Sequence, residues 1–416
     1  MLLNKKILIN IVSRGSNAVI VLLINLLVVK FFGTKELGIL STYQSLINII
    51  TPFLSLGFVS YITKSYPTKE NTFFTKEFIN TFLCYLIFSL FSSIILFFIL
   101  SFIPKLEYIF PYFIFGSFFS ATLLILQSFC AIKNSFYFLA YLNLSYRMIF
   151  FLLIIASGMN LSSKNIPTFE LDLISISLCI LPVIIIFLVR ILKDNNIDFK
   201  LLSFFFTYNF WKNNITYLSL NIIHVLNAGL GILISAFILD MESAGNLAFS
   251  QKFMSIIPMF LVIINNHTAR SYRIAHEAHR TLGIIDSSKK ITRKIFFPLF
   301  IILTISFLCT LVLAWHLNIR TESILILSLI TYVGYIVNIT YSSSGNILII
   351  SGDVITERKI LINSLLINIS FLTLTPIIGV YAAAIGTSMS MIYSNQSTSH
   401  FLKKKYGKSI FPWTNK

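Results

Sequence analysis

Apolar runs, all but the eleventh of about twenty residues or more, recur from one end of the chain to the other, long enough to cross a ~30 Å hydrocarbon layer as helices. They fall at about 7–32, 38–62, 78–102, 108–132, 138–159, 171–191, 215–239, 244–266, 295–317, 323–350, 360–375 and 381–402. Lipid offers the backbone no hydrogen-bond partner, so only helices or closed barrels cross it. The runs lack the strict alternation of barrel strands, which selects helices. Charged residues make up 11% of the 416, and mean hydropathy is +0.85. A water-soluble chain carries roughly a quarter charged residues, so no soluble domain of any size is expected.

The first run, Ile7–Phe32, is too long for a signal-peptide core, lacks a small-residue cleavage site, and reads as a span. Cys84, Cys130, Cys179 and Cys309 all fall inside apolar runs without metal-ligand spacing, so they are expected as buried, reduced thiols. Two longer segments interrupt the spans, Lys193–Asn214 and His267–Lys294. The aromatic stretch Phe199–Trp211 reads as interfacial. His276, Glu277 and His279 read as part of a solvated basic helix in preference to a metal site.

Lys and Arg alone set orientation. Twenty-four of the 32 lie on one side, against five on the other (Lys30, Lys35, Lys105, Lys164 and Arg320). The acids divide almost evenly between the two sides. The crowded side is expected to be cytoplasmic, with both termini there. That face suits anionic lipid head groups, so the net charge of +17 requires no nucleic-acid partner.

An internal repeat appears at an offset of 207 residues. Gly33 to Gly38 falls on Asp240 to Gly245, Gln44 on Gln251, and Pro52 within one residue of Pro258. Asn10, Arg14 and Asn17 fall on Tyr217, Asn221 and His224. Six spans per half is an even number, so the halves have parallel topology about a pseudo-two-fold along the membrane normal, with a site expected between them. The expected organisation is an all-α polytopic membrane protein of about twelve transmembrane helices in two six-helix lobes. The lobes are 1–192 and 215–416, and 193–214 is a cytoplasmic linker between them.

Polar stripes inside spans mark faces turned toward protein or water. In the first span Asn10, Arg14, Asn17 and Asn25 share one helical face. The second span carries Gln44, Asn48 and Ser55. The seventh carries Tyr217, Asn221, His224, Gly231 and Ser235, and the eighth Gln251, Lys252 and Ser255. The acids all read as loop or span-end residues, whereas Arg14, Lys252 and Arg147 lie within spans, Arg147 near an end of the fifth. A cleft holding cations and amides without carboxylates suits an anionic, hydroxyl-rich cargo. Its expected binding residues are Arg14, Lys252, Asn17, Gln44, Asn48, Asn221, His224 and Gln251. Arg14 and Lys252 can also be read as snorkelling to a surface, and the asparagines as interhelical hydrogen-bond partners. No Walker loop, acyl-transfer constellation or metal motif is present, so transport outranks catalysis, and no cofactor or metal is expected.

Three stretches carry a family resemblance. They are Phe31-Phe32-Gly33-Thr34-Lys35-Glu36-Leu37-Gly38, Ala244-Gly245-Asn246-Leu247-Ala248-Phe249-Ser250-Gln251-Lys252, and the segment from Pro376 to Thr387. With these, the chain resembles the polysaccharide (O-antigen) flippases of the multidrug/oligosaccharidyl-lipid/polysaccharide exporter superfamily. The resemblance implies two six-helix bundles working by alternating access in a bacterial inner membrane. Their cargo would be an undecaprenyl-diphosphate-linked oligosaccharide for lipopolysaccharide O-antigen or capsule, moved from the cytoplasmic to the periplasmic leaflet. Its partners would be membrane lipids and other polysaccharide-assembly membrane proteins. Basic residues of the family's cavity match Arg14 and Lys252. The alternative reading is a cation-coupled multidrug exporter of the same fold. Such exporters tend to use a membrane-embedded carboxylate, which the sequence reading does not find.

Overall fold

The computed structural model describes residues 5–55, 58, 76–100, 110–132, 136–159, 166–194, 207–341 and 344–414, without the side chains of 5–14 and 265–281 among others. Every regular element among the described residues is a helix. The first half contains α1 (Lys5–Phe32), α2 (Thr34–Ser55), α3 (Lys76–Leu100), α4 (Phe110–Ile132), α5 (Phe136–Met159) and α6 (Thr168–Asp194). The second half begins with α7 (Tyr208–Ile238), α8 (Met241–Met254), α9 (Ile256–His316) and α10 (Thr321–Thr340). It closes with α11 (Ser344–Ile350), α12 (Val354–Leu372), α13 (Thr375–Ile378) and α14 (Tyr381–Tyr406). Among the described residues, seven helices are long and apolar enough by themselves to cross a membrane. Phe91, Phe98, Ile186 and Val312 are each 60% or more exposed, as side chains facing hydrocarbon are.

The helices depart from the expected spans where breakers are present or missing. Between Pro258 and Pro298 the sequence contains no proline and a single glycine, Gly283. The segment 267–294, expected to interrupt two spans, instead continues as helix, and α9 runs for 61 residues, about 90 Å. Pro258 lies in the first turn of α9, where its missing N–H is tolerated. The preceding helix stops at Met254, with Ser255 N–H bonded back to Gln251 O at 2.9 Å. The expected span 323–350 is divided into α10 and α11. Of the interfacial segment, 199–206 lies outside the described residues, and Tyr208–Trp211 forms the first turn of α7. All four cysteines are free, but Cys309 is exposed and Cys179 half-buried, so burial holds for Cys84 and Cys130 only. Neither Cys179 nor Cys309 needs burial in an apolar medium, where a thiol is a small hydrophobe.

Two compact units pack separately: Met1–Leu27 with Tyr43–Val225, and Val28–Thr42 with Leu226–Lys416. In the first, α3, α4, α5 and α6 close an aromatic core in which Phe82 meets Phe187 edge-on at 4.4 Å. Tyr85, fully buried there, shares a 3.1 Å hydrogen bond with Thr122. In the second, α14 packs through small and polar residues; Ala382, Ala383, Ala384, Gly386, Ser388 and Ser390 are all buried. Small side chains let membrane helices approach closely. A Cβ on Gly334 would lie 2.9 Å from Ser388 Oγ, and one on Gly386 2.7 Å from Asn368 Oδ1. A polar chain links the same helices. Asn368 donates to Asn227 O (3.1 Å), Asn227 to Ser364 Oγ (3.4 Å), and Ser364 to Ser390 O (3.0 Å). These asparagines serve as interhelical hydrogen-bond partners.

On the cation-rich side, the C-terminal segment after Gly407 lies along α9. Lys289 donates to Thr414, Arg293 to Pro412 O, and Lys408 pairs with Asp286 at 2.8 Å. Trp413 stands edge-on to Phe296 at 4.8 Å. Nearby, Asp353 accepts from Tyr406 at 2.7 Å and from Lys405. One turn further along α12, Glu357 is buried at 4% exposure, with Oε2 lacking a partner among the described residues. Burial pushes its carboxyl up from 4.5 to about 7. A raised carboxyl contributes full stability below its unfolded value and loses it as pH rises through the folded one. Glu357 is therefore predicted to cost up to about 3 kcal/mol above neutrality. Thermal unfolding in detergent should show the midpoint of the native chain falling relative to that of Glu357→Gln between about pH 4.5 and pH 7.5, the interval between the unfolded and folded values of the carboxyl. Parallel pH curves would contradict this.

Candidate functional site

The most tightly built polar group in the first unit centres on Asp172. Five residues into α6, it is 5% exposed and lies within the membrane span Thr168–Val189. Tyr146 of α5 donates to its Oδ1 at 2.7 Å, and Gln44 of α2 to its Oδ2 at 3.3 Å. The Arg147 guanidinium lies 4.4 Å from the Tyr146 ring centroid, a cation–π distance. Tyr43, next to Gln44, is 1% exposed and donates to Tyr112 O at 3.2 Å. Its ring packs against Phe169 at 5.6 Å. A Cβ on Gly116 would collide with the Tyr43 hydroxyl, so α4 and α2 approach closely here because residue 116 has no side chain. Four helices, α2, α4, α5 and α6, thus converge around one carboxylate.

This arrangement corrects two expectations. The acids are not confined to loops and span ends, because Asp172 is buried inside the first unit and satisfied by two side-chain donors. Arg147 is not near a helix end. It is the twelfth of 24 residues in α5, half-buried beside Tyr146. Asp172, second in the run 171–191, looks terminal because hydropathy blurs the edge of a run, whereas Arg147, tenth in the run 138–159, is interior by position in the sequence as well. The spacing of Gln44, Tyr146 and Asp172 in sequence gives no hint that they meet.

The other expected binding residues are distributed as follows. Arg14 falls on α1, but its side chain lies outside the described residues, as does that of Asn10. Asn17 is half-buried, and its buried Oδ1 has no partner among the described residues. Asn25, on the same face, is 3% exposed and donates to Val21 O at 2.8 Å, one turn back in its own helix. Asn48, Asn221 and His224 are exposed on α2 and α7. Gln251 and Lys252 are half-buried near the end of α8. Of the eight, Gln44 alone joins the Asp172 group among the described residues.

No protein-family model matches the sequence, and no curated protein matches it. Solved structures do match over nearly the full length. A MATE transporter in complex with MaD3S aligns over 97% of this chain and 96% of its own, with 11% identity and a TM-score of 0.66. The MATE multidrug transporter DinF-BH aligns over 98% and 95%, with 13% identity and a TM-score of 0.60. The Vibrio cholerae MATE transporter VcmN, in its bent form, aligns over 96% and 98%, with 10% identity and a TM-score of 0.53. The chain therefore has the all-α, multi-pass fold of MATE transporters, the two-lobe twelve-span architecture expected from its repeat.

Removing the Asp172 carboxylate would take away the acceptor of the buried Tyr146 hydroxyl and one acceptor of the half-buried Gln44 amide. Asp172→Ala is predicted to lower stability by about 3 kcal/mol, and Asp172→Asn, which keeps an acceptor oxygen, by less. Thermal unfolding of both variants in detergent measures this. Equal midpoints for Asp172→Ala and the native chain would contradict the assigned hydrogen bonds.

Proposed function

We propose that the chain is a flippase for an undecaprenyl-diphosphate-linked oligosaccharide, an O-antigen or capsule repeat unit. It carries this cargo by alternating access from the cytoplasmic to the periplasmic leaflet of a bacterial inner membrane. The observation that supports this reading is the sign of the charge carried on the helices of the expected polar faces: Arg14 on α1, Arg147 on α5 and Lys252 on α8, with Asp172 of α6 as the carboxylate set against them. That carboxylate is already engaged by Tyr146 and Gln44. Guanidinium and ammonium groups form charge-assisted hydrogen bonds with phosphate oxygens, and a diphosphate head offers several. The amides of Asn17, Gln251, Asn48 and Asn221 suit the hydroxyls of a glycan. The polyprenyl tail would stay in lipid. Both termini would face the cytoplasm, with other polysaccharide-assembly membrane proteins as neighbours.

A second reading, a cation-coupled multidrug exporter, is favoured by Asp172 itself. A carboxylate inside a span is the kind of group that binds a proton, a metal cation or a cationic drug. It also agrees with the multidrug transporter among the similar folds. The two readings separate in a deletion strain. The flippase reading predicts loss of surface glycan there. Lys252→Ala and Arg14→Ala are each predicted to reduce surface-glycan assembly about tenfold or more at unchanged protein level, the effect of losing one charge-assisted contact. Gel analysis of surface glycan in complemented strains reads both. Normal glycan in the deletion strain, with increased sensitivity to lipophilic cations, would transfer the assignment to the exporter.

A further inference from the structure

The exposed face of α9 changes character once along its length. Lys290 and Lys294 are followed, at intervals of three or four residues, by Phe297, Ile301, Ile305 and so on to Trp315. Residues at that spacing share one side of a helix, and all of these are exposed, Phe297 at 67% and Trp315 at 71%. From Phe297 to Trp315 the stripe is apolar. At 1.5 Å per residue its ends lie about 27 Å apart, close to the thickness of the hydrocarbon layer. Lys294 is one turn beyond the apolar end, with Arg293, also exposed, beside it. The cations therefore begin at the depth of lipid phosphates.

The C-terminal segment is brought to the same level. Gly407, at φ +74°, ends α14 with its N–H bonded to Lys403 O at 2.9 Å, a left-handed cap that turns the chain toward α9. Phe411 then packs against Tyr341 at 6.0 Å and against Trp413 at 5.5 Å. Trp413 stands on Phe296 with about half of its surface exposed, as an interfacial tryptophan does. The segment engages two cations of α9, but only through neutral oxygens. Lys289 donates to Thr414 O and Oγ1, both at 3.4 Å, and Arg293 Nε donates to Pro412 O. Asp286 is the one acid between residues 282 and 316, and it pairs with Lys408. No acid follows Glu357 in the chain.

From this geometry we infer that the cation-rich end of α9 and the C-terminal segment form a binding site for an anionic phospholipid. The phosphate sits against Lys290, Arg293 and Lys294, and an acyl chain runs down Phe297, Ile301 and Ile305. Three features select this occupant. Lys289, Lys290, Arg293 and Lys294 crowd within two turns of one helix, and like charges at that spacing repel, so an anion among them is stabilising. The local acid is already paired, and a zwitterionic head would bring its own cation to compete for the phosphate. The apolar stripe continues from the cations without a break, so the occupant needs a long hydrocarbon tail as well as an anionic head. All of these residues belong to the compact unit that contains Leu226–Lys416. The inference does not depend on the identity of the cargo.

Trp413 reports on the site directly. In the full chain, Trp211→Phe and Trp315→Phe leave it as the single tryptophan. The protein is placed in phosphatidylcholine nanodiscs containing a small fraction of lipid that is spin-labelled near the head group, either phosphatidylglycerol or phosphatidylcholine. Quenching of Trp413 fluorescence is then followed against the fraction of labelled lipid. The site predicts half-maximal quenching by phosphatidylglycerol at a fraction about fivefold or more lower than by phosphatidylcholine, the effect of one or more cations near the surface. Coincident curves would overturn it. Lys290→Gln combined with Lys294→Gln, both at exposed positions, should bring the two curves together while leaving the thermal midpoint in pure phosphatidylcholine unchanged. A preference that survives the double variant would overturn the site. Should that variant not fold, the native pair of positions is tested at about 0.5 M salt, where screening should shrink the preference, and an undiminished one would overturn it. Displacement of labelled phosphatidylglycerol by millimolar glycerol phosphate would overturn the lipid assignment in favour of a free phosphate.

Discussion

Hydrocarbon solvates neither an unpaired peptide group nor an isolated charge, and nearly every feature of this chain follows from that. It forces the described backbone into helices and keeps most charges out of the apolar stretches, so that α9 carries its Lys and Arg between two apolar ends. The exceptions matter most. Asp172 survives inside a span because Tyr146 and Gln44 hydrogen-bond both of its oxygens and Arg147 lies against the Tyr146 ring. Arg147 and Lys252 are held half-buried on separate helices. The balance of these groups, more than any motif, supports an anionic cargo.

The same constraint explains the interior of the second unit. Without a solvent-driven collapse, helices must gain their attraction from close approach and shared hydrogen bonds. The α14 helix therefore carries alanine, glycine and serine where a soluble core would carry leucine. Asn227, Ser364, Asn368 and Ser390 form a linked chain instead of an apolar seam. Glycine at 38 and 245 applies the same solution at the crossing of α2 and α8, where matched positions of the repeat meet.

Much of the fold was legible in the sequence because span length and repeat register are local, additive signals. The offset that pairs Gly38 with Gly245 is realised as a physical contact, and the Pro258 match marks the α8–α9 break. Pairings between distant positions were not legible. Gln44, Tyr146 and Asp172 lie far apart in the chain, and no periodicity tells which helix faces which. The continuity of α9 was hidden for another reason. Hydropathy records where a helix leaves the apolar layer, not whether it stops, and only the absence of a breaker between Pro258 and Pro298 reveals the join. At 10–13% identity to the similar structures, conservation of fold carries no cargo with it.

What most needs testing is the sign of the ligand's charge. The most direct measurement is native mass spectrometry of the purified chain with equal concentrations of a polyprenyl diphosphate and a lipophilic organic cation. A cationic cleft predicts that the diphosphate is retained, that the cation is not, and that rising ammonium acetate weakens retention as screened charge pairs require. Retention of the cation with no bound diphosphate would contradict it.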